Sequence, residues 1–301
     1  MSRTRIEWAL SPSGEAGETE NPATGCHTGC SYCYARGVAH TRLRTLYLGG
    51  GTLILQAGES EEDAQTDPFW PRWWPDRFER MIDRAEYVHA HPETKPRGVF
   101  VCDMADLFGP WMPAGRIIDL LEVLRRNGHD RFYLLTKYPE NLVAYSPFPP
   151  NCWVGTTCDT VARLNRARMF LPMVKATVKF LSIEPMLERV VCNHEYVQQE
   201  DDMREEYQCG EKYCRLCGHS APIGFLEPNN LTRLNGGQLV PIADWVILGA
   251  QTKPDRQPEP GWVRQVYRAC GDSGIPLFTK DNVWPLLQQM GEKTHRDFPR
   301  S

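Results

Sequence analysis

The chain has 301 residues, of which 41% are hydrophobic and 24% charged, and its formal net charge is -4. This composition is that of a folded protein, and the charge excludes a surface that is basic throughout, so binding to nucleic acid would require a local basic patch. The sequence contains no run of about 18 apolar residues, and its first ten residues contain no apolar signal segment. We therefore expect a cytoplasmic protein with no membrane partner.

Eleven cysteines are many for a chain of this length, and the number is odd. A reducing compartment disfavours disulfides, so the cysteines that cluster are better explained as ligands of a metal or an iron–sulfur cluster. Four others stand singly, namely Cys102, Cys152, Cys158 and Cys270. They lie in or beside apolar segments, where a free thiol behaves as a small hydrophobic group.

The first cysteine motif consists of Cys26, Cys30 and Cys33, with the spacing C-x3-C-x2-C. Three thiolates on one short loop can bind three irons of a [4Fe–4S] cluster and leave the fourth open for a ligand, whereas an electron-transfer cluster normally has four ligands. Gly25 and Gly29 supply the backbone freedom that a tight loop needs. The alternatives are a zinc ion completed by His27, and structural cysteines without a metal.

Downstream of this motif, short apolar runs alternate with stretches of helical periodicity. The runs are 98–103, 132–137, 152–157, 178–184, 245–250 and 276–280. They are almost continuously apolar, as expected of parallel strands that are buried on both faces. In the intervening stretch 114–127, apolar residues line one face and Gly128 follows as a predicted C-cap. The alternation indicates an α/β fold.

Polar side chains follow the predicted strands. They are Asp103, Thr136, Lys137, Thr156, Thr157, Glu184, Gln251, Thr252, Lys280 and Asp281. In barrel-like α/β folds, ligands bind at the carboxyl ends of the strands, so we expect a shared site there. Lys137 and Lys280 are candidate substrate contacts within it. Turn residues without a common function are the alternative.

Residues 190–239 break the alternation, because this segment is polar and charged. Its candidate metal ligands are Cys192, Cys209, Cys214 and Cys217, with His194 or His219 as substitutes. Cys214 and Cys217 form a C-x2-C-Gly knuckle, a turn that zinc favours. A metal would serve as a folding nucleus for a segment with so little apolar core. An auxiliary iron–sulfur cluster and an unliganded loop are the alternatives.

With Tyr32 before its last cysteine, the first motif reads C-x3-C-x-aromatic-C and resembles the signature of the radical S-adenosylmethionine superfamily. Further segments are similar to a poorly characterised phage and bacterial family with a distant likeness to spore photoproduct lyase. They are 21–26, 100–108, 134–137, 180–185 and 244–249. The resemblance covers most of the chain outside 190–239. It implies a partial (β/α)6 TIM-like barrel with a Cys-rich insertion between the fifth and sixth strands.

The predicted organisation has three parts: residues 1–189 as the first part of the barrel, 190–239 as a metal-binding insertion, and 240–301 as the barrel completion with a C-terminal helical segment. The resemblance also implies site residues. Cys26, Cys30 and Cys33 would hold the cluster, Tyr32 would pack near the adenine, and Thr156, Thr157 and Asp159 would contact the ribose or a carboxylate. Glu184 would contact cofactor or substrate. Since Gly-Gly-Glu is absent after the second strand, the Asp103 or Met104 backbone would meet the methionine ammonium.

The function that the resemblance implies is reductive cleavage of S-adenosylmethionine to a 5′-deoxyadenosyl radical, which abstracts hydrogen from a substrate. A nucleobase in DNA or a nucleotide is the first substrate candidate, by analogy, and a peptide or a small metabolite is the rival. The electron would come from a donor such as flavodoxin or ferredoxin. The alternative is a non-catalytic zinc protein that binds nucleic acid through both cysteine clusters. Arg and Trp side chains that could grip a nucleic acid are Arg36, Arg42, Arg44, Arg72, Arg77, Arg163, Arg166, Arg168, Trp70, Trp73 and Trp74. The alternative is that these charges lie on solvated helix faces and that the Trp residues pack a loop onto the body of the protein.

Overall fold

In the residues that the structure describes, seven parallel strands form an open sheet that curls into a half-barrel. The structure is a computed structural model, and it describes residues 2–4, 6–197, 211–215, 219–222, 228–236 and 238–299. The sheet contains β1 (Ser2–Arg3), β2 (Glu18–Glu20), β3 (Gly98–Val101), β4 (Arg131–Thr136), β5 (Cys152–Thr157), β6 (Val178–Ile183), β7 (Trp245–Leu248) and β8 (Leu277–Thr279). Strands adjacent in the chain order are adjacent in the sheet, and β1 is antiparallel to β2.

Helices connect these strands, and the longer ones pack their buried residues into the larger hydrophobic core on one face of the sheet. They are α1 (Tyr34–His40), α2 (Arg44–Leu48), α3 (Glu61–Thr66), α4 (Pro75–Ala90), α5 (Ala114–Arg126), α6 (Pro139–Leu142), α7 (Val161–Phe170), α8 (Pro260–Ser273) and α9 (Trp284–Met290). Short 3-10 turns lie at Val143–Tyr145, Leu171–Met173 and Asp281–Val283. None of the described helices is long and apolar enough to cross a membrane.

Small antiparallel strands lie outside the main sheet. Three of them flank the first cysteine motif, at Ala23–Thr24, Thr52–Leu53 and Arg72–Trp73. Five lie between β6 and β7, at Tyr196–Val197, Glu211–Cys214, Ser220–Pro222, Thr232–Asn235 and Gln238–Pro241. A last pair follows β7, at Gln251–Thr252 and Asp255–Arg256. The described parts of 190–239 are therefore built from short hairpins, in keeping with their polar sequence.

Each strand divides its side chains between two cores, because successive residues point to opposite faces of a sheet. On β3, Val99 and Val101 join the aliphatic core beneath the helices, whereas Phe100 joins an aromatic cluster on the concave face. The aromatic cluster consists of Trp8, Phe100, Tyr133, Trp153, Phe180, Trp245 and Phe278 with small apolar neighbours. Both faces are buried, which explains why the strands are apolar along their whole length.

All six apolar runs identified in the sequence contain a strand of the sheet, but the parallel sheet has seven strands rather than the six of the predicted barrel. The additional strand is β2, whose sequence Glu-Thr-Glu carries no apolar signal. It pairs with β3, and Glu20 is buried near Arg97 at 3.7 Å. Helix α5 occupies the predicted stretch with its apolar face buried, although it is Asn127 rather than Gly128 that occupies the C-cap.

The four single cysteines are buried in the aliphatic core, as expected of small hydrophobic groups. Burial raises the pKa of each thiol, to about 12 for Cys102 and Cys270. A neutral thiol deep in an apolar core has little tendency to bind metal or to react. These cysteines therefore belong to the packing of the fold.

A buried ion-pair cluster joins α4, the start of β3 and the turn before β4. The Asp130 carboxylate accepts hydrogen bonds from Arg84 at 3.1 Å, from Arg97 at 2.8 and 3.1 Å, and from Asn127 at 3.1 Å. Burial alone would raise the pKa of Asp130, but the two guanidinium groups and the hydrogen bonds outweigh it and lower the pKa below its usual value. The charged carboxylate therefore stabilises the fold.

Replacing Asp130 by Asn should lower the free energy of unfolding by about 3 kcal/mol, because two poorly exposed guanidinium groups lose their buried counter-charge. The contribution of the carboxylate is complete above the ordinary Asp pKa of about 4 and is lost as the pH falls towards the lower pKa of the folded state. Denaturant unfolding at several pH values should therefore show a decline below pH ~4 that is smaller in Asp130→Asn. As a control, Asp76→Asn removes an exposed partner of Arg80 and should cost under about 1 kcal/mol. Equal losses in both variants would contradict this account.

Candidate functional site

A cavity of about 270 Å³ lies at the carboxyl ends of the parallel strands. Its apolar part includes Ile6, Trp8, Phe100 and Leu135, and its polar part includes Asp103, Asp106, Lys137, Thr157, Glu184 and Lys280. Cys26, Cys30 and Cys33 line the same cavity. The fold therefore brings the cysteine motif and the polar strand ends to one place, although they are far apart in the chain.

The cysteine loop is held by two glycines in the left-handed region of backbone space. Gly25 has a φ of +84° and Gly29 a φ of +71°, which residues with a side chain rarely adopt. A Cβ atom on Gly25 would lie 2.2 Å from the carbonyl oxygen of Trp70, so there is no room for one. The structure confirms that both glycines are needed for the tight loop.

Backbone amides around the loop point at two of the sulfur atoms. The Thr28 N–H donates to Cys26 Sγ at 3.4 Å, and the Arg36 N–H donates to Cys33 Sγ at 3.3 Å. Cys33 thereby caps the N-terminus of α1. Such hydrogen bonds from the backbone fix the orientation of the two sulfur atoms.

The two cysteine clusters differ in how their candidate ligands are arranged. Cys192, His194 and Cys214 are described residues whose ligand atoms all lie within 4.8 Å of one another. Cys26, Cys30 and Cys33 are not part of this group and line the cavity from one short loop. Three thiols on one loop can each bind a different iron of a cubane.

His27, the residue that would complete a zinc site, lies away from the cavity. Its ring packs edge-on against Trp70 at 4.8 Å and Trp111 at 5.3 Å, and its Nε2 lies 3.5 Å from Glu59. Burial lowers its pKa, which favours a neutral ring between the two indoles. This placement disfavours the alternative in which His27 and the three thiolates share one zinc ion.

Burial raises the pKa of the Cys26 thiol to about 11, and the negative charge of Asp106 adds to the rise. The protein alone therefore keeps Cys26 protonated at neutral pH. A cationic metal centre would reverse this preference, since a coordinating thiol is deprotonated by the charge of the metal. Binding of a metal at this loop would therefore require loss of the Cys26 proton.

Tyr32 lines the cavity, and its hydroxyl donates a hydrogen bond to Asp159 just after β5. Arg163 forms an ion pair with the same carboxylate, which is fully buried. Asp159 does not line the cavity. The structure therefore gives Asp159 the role of holding Tyr32, and with it the loop between Cys30 and Cys33, against the start of α7.

Asp103 lines the cavity, and it is fixed by Asn21 at 2.5 Å and by the Tyr34 hydroxyl at 3.0 Å. Burial raises the pKa of its carboxyl, and these hydrogen bonds oppose the rise. Met104, the other residue proposed for this contact, does not line the cavity. Its N–H donates to Asn21 at 3.0 Å and its carbonyl accepts from Gly25 at 2.9 Å. Of the two, Asp103 is the residue that a ligand can reach.

Thr156 and Thr157 cannot both face the cavity, because they are consecutive residues of β5. Thr157 lines it, together with Ser182 on β6, the neighbouring strand. Thr156 points to the opposite side, where its hydroxyl is buried without a hydrogen-bond partner among the described residues. The structure therefore places only Thr157 of this pair at the site.

Glu184 and Lys280 line the cavity from the ends of β6 and β8 and form an ion pair with each other. Burial alone would lower the pKa of Lys280, but the Glu184 carboxylate outweighs it and raises the pKa. Gly249 separates the two strands at this level, and a Cβ there would lie 3.1 Å from each side chain. The pair therefore presents one positive and one negative group to a ligand, and the net charge of the pair itself is small.

The second cysteine cluster lies outside this cavity. Cys192 Sγ and Cys214 Sγ are 3.8 Å apart, and the His194 ring stacks on His219 with 4.8 Å between centroids. Burial and the positive charges of His219 and Arg168 lower the pKa of His194 to about 4. Cys192, His194 and Cys214 form a group that could hold a metal ion. The other two predicted ligands, Cys209 and Cys217, lie outside the described residues.

A family model described as "Protein of unknown function (DUF5131)" matches residues 3–296. The chain belongs to this family. Both cysteine clusters and all the strand ends at the cavity lie within the matched residues of this DUF5131 protein. No match was found among curated proteins or among solved structures.

Some residues at the cavity of this DUF5131 protein were not predicted from the sequence. Ser182 lies inside an apolar run, and only its two-residue spacing from Val178 and Phe180 indicates that it faces the concave side. Asp106 lies beyond the end of β3, and its buried carboxylate accepts from Thr136 at 2.6 Å. Arg36, on α1, was predicted only as a possible nucleic-acid contact, and the structure places it in the lining of the cavity. The positions of Asp106 and Arg36 at the cavity depend on folding.

Replacing Gly25 by Ala should destabilise the protein by about 1–3 kcal/mol, because the new side chain requires an unfavourable φ and clashes with Trp70 O. If the loop holds the cluster expected from the sequence, the substitution should also reduce the iron bound after anaerobic reconstitution. Gly37→Ala is the matched control, since Gly37 lies in α1 and a Cβ there meets no atom within 4 Å. The control should keep its stability or gain about 0.5–1 kcal/mol. Thermal unfolding and iron analysis of both variants measure the difference, and equal behaviour would contradict the role of Gly25.

Proposed function

We propose that this protein is a radical S-adenosylmethionine enzyme whose cluster is held by Cys26, Cys30 and Cys33. The observation that carries the proposal is that three thiols of one short loop line a cavity at the strand ends, together with the polar side chains that follow the strands. In this proposal the half-barrel is the partial TIM-like barrel of that superfamily. Residues 190–239 are an insertion between its fifth and sixth parallel strands, which are β6 and β7. The insertion would hold zinc through Cys192, Cys214 and further ligands.

When bound, a [4Fe–4S] cluster with three protein ligands supplies the electron that cleaves S-adenosylmethionine and so yields a radical that abstracts hydrogen from a substrate. The protein must bind S-adenosylmethionine and the substrate close together and exclude water. Close positioning of reacting groups supplies much of the rate. Trp8 and Phe100 provide an apolar floor for this purpose. An electron donor such as flavodoxin or ferredoxin would act as the partner.

Polar side chains around the cavity can bind the charged ends of the cofactor. The cations that line it are Arg36, Lys137 and Lys280. Arg36 pairs with Asp67 at 3.7 Å and Lys280 pairs with Glu184, whereas Lys137 forms no ion pair with any described carboxylate. Lys137 lies 6.0 Å from the Tyr32 ring centre and so stands beside the cysteine loop. It is the cation best placed to bind the carboxylate of a ligand.

The size of the cavity limits the substrate. About 270 Å³ is close to the lower end of small-molecule sites, which is about 300 Å³. A substrate that shares this space with the cofactor can insert only a small group. A nucleobase of DNA, or a nucleotide, remains our first proposal by analogy, and a peptide side chain or a small metabolite is the rival.

Iron content and cofactor cleavage test the function directly. Anaerobically reconstituted protein should bind about four irons with matching sulfide, and after dithionite reduction it should release 5′-deoxyadenosine from S-adenosylmethionine. Cys30→Ala should abolish both, because one thiolate ligand is lost. Cys270→Ala, which removes a buried core thiol, should preserve both. A colourless wild-type protein that carries two zinc ions and releases no 5′-deoxyadenosine would instead support the non-catalytic nucleic-acid-binding alternative.

The two adjacent threonines of β5 provide a matched pair for cofactor binding. Thr157→Val removes a hydroxyl that lines the cavity and should weaken S-adenosylmethionine binding about fivefold, as expected for one hydrogen bond of about 1 kcal/mol. Thr156→Val removes a buried hydroxyl without a described partner, so binding should not change and stability should stay equal or rise. Equilibrium binding to the reconstituted variants measures both. A weaker affinity in Thr156→Val alone would contradict this assignment.

A further inference from the structure

The buried thiols of the 190–239 segment differ in their surroundings from the thiols of the core. We propose that Cys192, His194 and Cys214 bind one zinc ion, and that this ion fixes the segment to the outer helices of the half-barrel. The site lies outside the cavity and does not depend on what the cavity binds. It assigns His194 as a ligand, in addition to the cysteines.

The distances fit a single tetrahedral ion. The two sulfur atoms are 3.8 Å apart, and both lie within 4.8 Å of a ring nitrogen of His194. Tetrahedral zinc with Zn–S near 2.3 Å requires a sulfur separation of about 3.8 Å. Thiolates on different irons of a cubane are more widely separated, so the geometry favours zinc over an auxiliary iron–sulfur cluster. The distance also exceeds the S–S bond length of a disulfide, about 2.05 Å.

The two buried thiols lie outside the hydrophobic clusters of the described residues. Cys192 is 3% exposed and Cys214 is fully buried, yet neither belongs to a hydrophobic cluster of the described residues. By contrast, Cys152 and Cys270 are equally buried and lie within the aliphatic core. The Glu195 N–H also donates to Cys214 Sγ at 3.3 Å, and such outer hydrogen bonds orient and stabilise metal ligands.

Cys192 lies where the segment docks onto the barrel. Its own N–H donates to Asn230 at 2.9 Å, and the neighbouring Asn193 donates to the Gln265 carbonyl of α8 at 3.0 Å. Arg168 of α7 donates to the Thr232 carbonyl at 2.8 Å. These contacts anchor the first ligands of the site on two helices of the fold.

The third of these ligands, Cys214, comes from a different element. Cys214 ends the strand Glu211–Cys214, which pairs with Tyr196–Val197 and with Ser220–Pro222. An ion bound by Cys192, His194 and Cys214 therefore links this hairpin to the residues around Cys192, which contact α8 through Asn193. Because the sequence of 190–239 is polar and charged, the free energy of metal binding would become the free energy that holds this hairpin in place.

The test uses the full chain with Cys26, Cys30 and Cys33 all replaced by Ala, so that no cluster forms at the first motif. This protein should contain one zinc ion and no acid-labile sulfide. Within it, Cys192→Ala, His194→Ala and Cys214→Ala should each weaken zinc affinity about 100-fold or more in competition with a chromophoric chelator. Cys270→Ala is the matched buried-thiol control and should keep its zinc. Cys214→His, which replaces one zinc ligand by another, should retain zinc better than Cys214→Ala.

A thermal measurement on the unsubstituted protein gives a second readout that needs no triple variant. A strong zinc chelator should lower its melting temperature, because a ligand that binds only the folded form stabilises it. The same chelator should have no effect on Cys192→Ala. Zinc that survives in all three ligand variants, iron with sulfide in place of zinc, or a disulfide between Cys192 and Cys214 in freshly isolated protein would each overturn the proposal. If the Cys192→Ala protein loses its zinc but still releases 5′-deoxyadenosine, the zinc proposal is supported and the proposed function of the cavity is unaffected.

Discussion

Packing of one indole ring on the concave face of the sheet determines where a ligand can bind. The Trp8 ring contacts Phe100, Tyr133 and Phe180 with centroids 5.1 to 5.6 Å apart, and Trp245 at 6.3 Å. Each of these partners comes from a different parallel strand, so one side chain of the N-terminal segment fills much of the half-barrel. Such tilted and edge-on aromatic contacts are favourable and rigid. The cavity of about 270 Å³ accordingly lies beyond this ring, at the carboxyl ends of the strands.

The two cysteine clusters illustrate how the surroundings of a thiol decide what it can hold. In the first, three thiols lie on a glycine-containing loop that lines the cavity. In the second, two sulfur atoms lie 3.8 Å apart beside an imidazole, away from the cavity. Three thiols at the wall of a cavity suit a group that meets a substrate. Close spacing in a buried place suits a single ion with a structural role.

The six main strands could be predicted because a parallel sheet that is buried on both faces needs apolar side chains at every position. The same reasoning did not predict β2, because its sequence Glu-Thr-Glu contains no apolar residue. Its place depends on a tertiary ion pair, since Arg97 lies 2.9 Å from Glu18 and 3.7 Å from Glu20. The polar residues at the strand ends were also identifiable, but their partners, such as Asp159 for Tyr32, were not.

The sequence alone determined the alternation of strands and helices, the two cysteine clusters and the glycines that the first cluster requires, because these depend on local spacing and on backbone freedom. Only the tertiary structure decided that Thr157 rather than Thr156 faces the cavity, that His27 turns away between two tryptophans, and that Cys192 and Cys214 meet. The physical reason is that the direction of a side chain and the distance between remote residues follow from how strands pair and curl. Spacing along the chain does not contain that information.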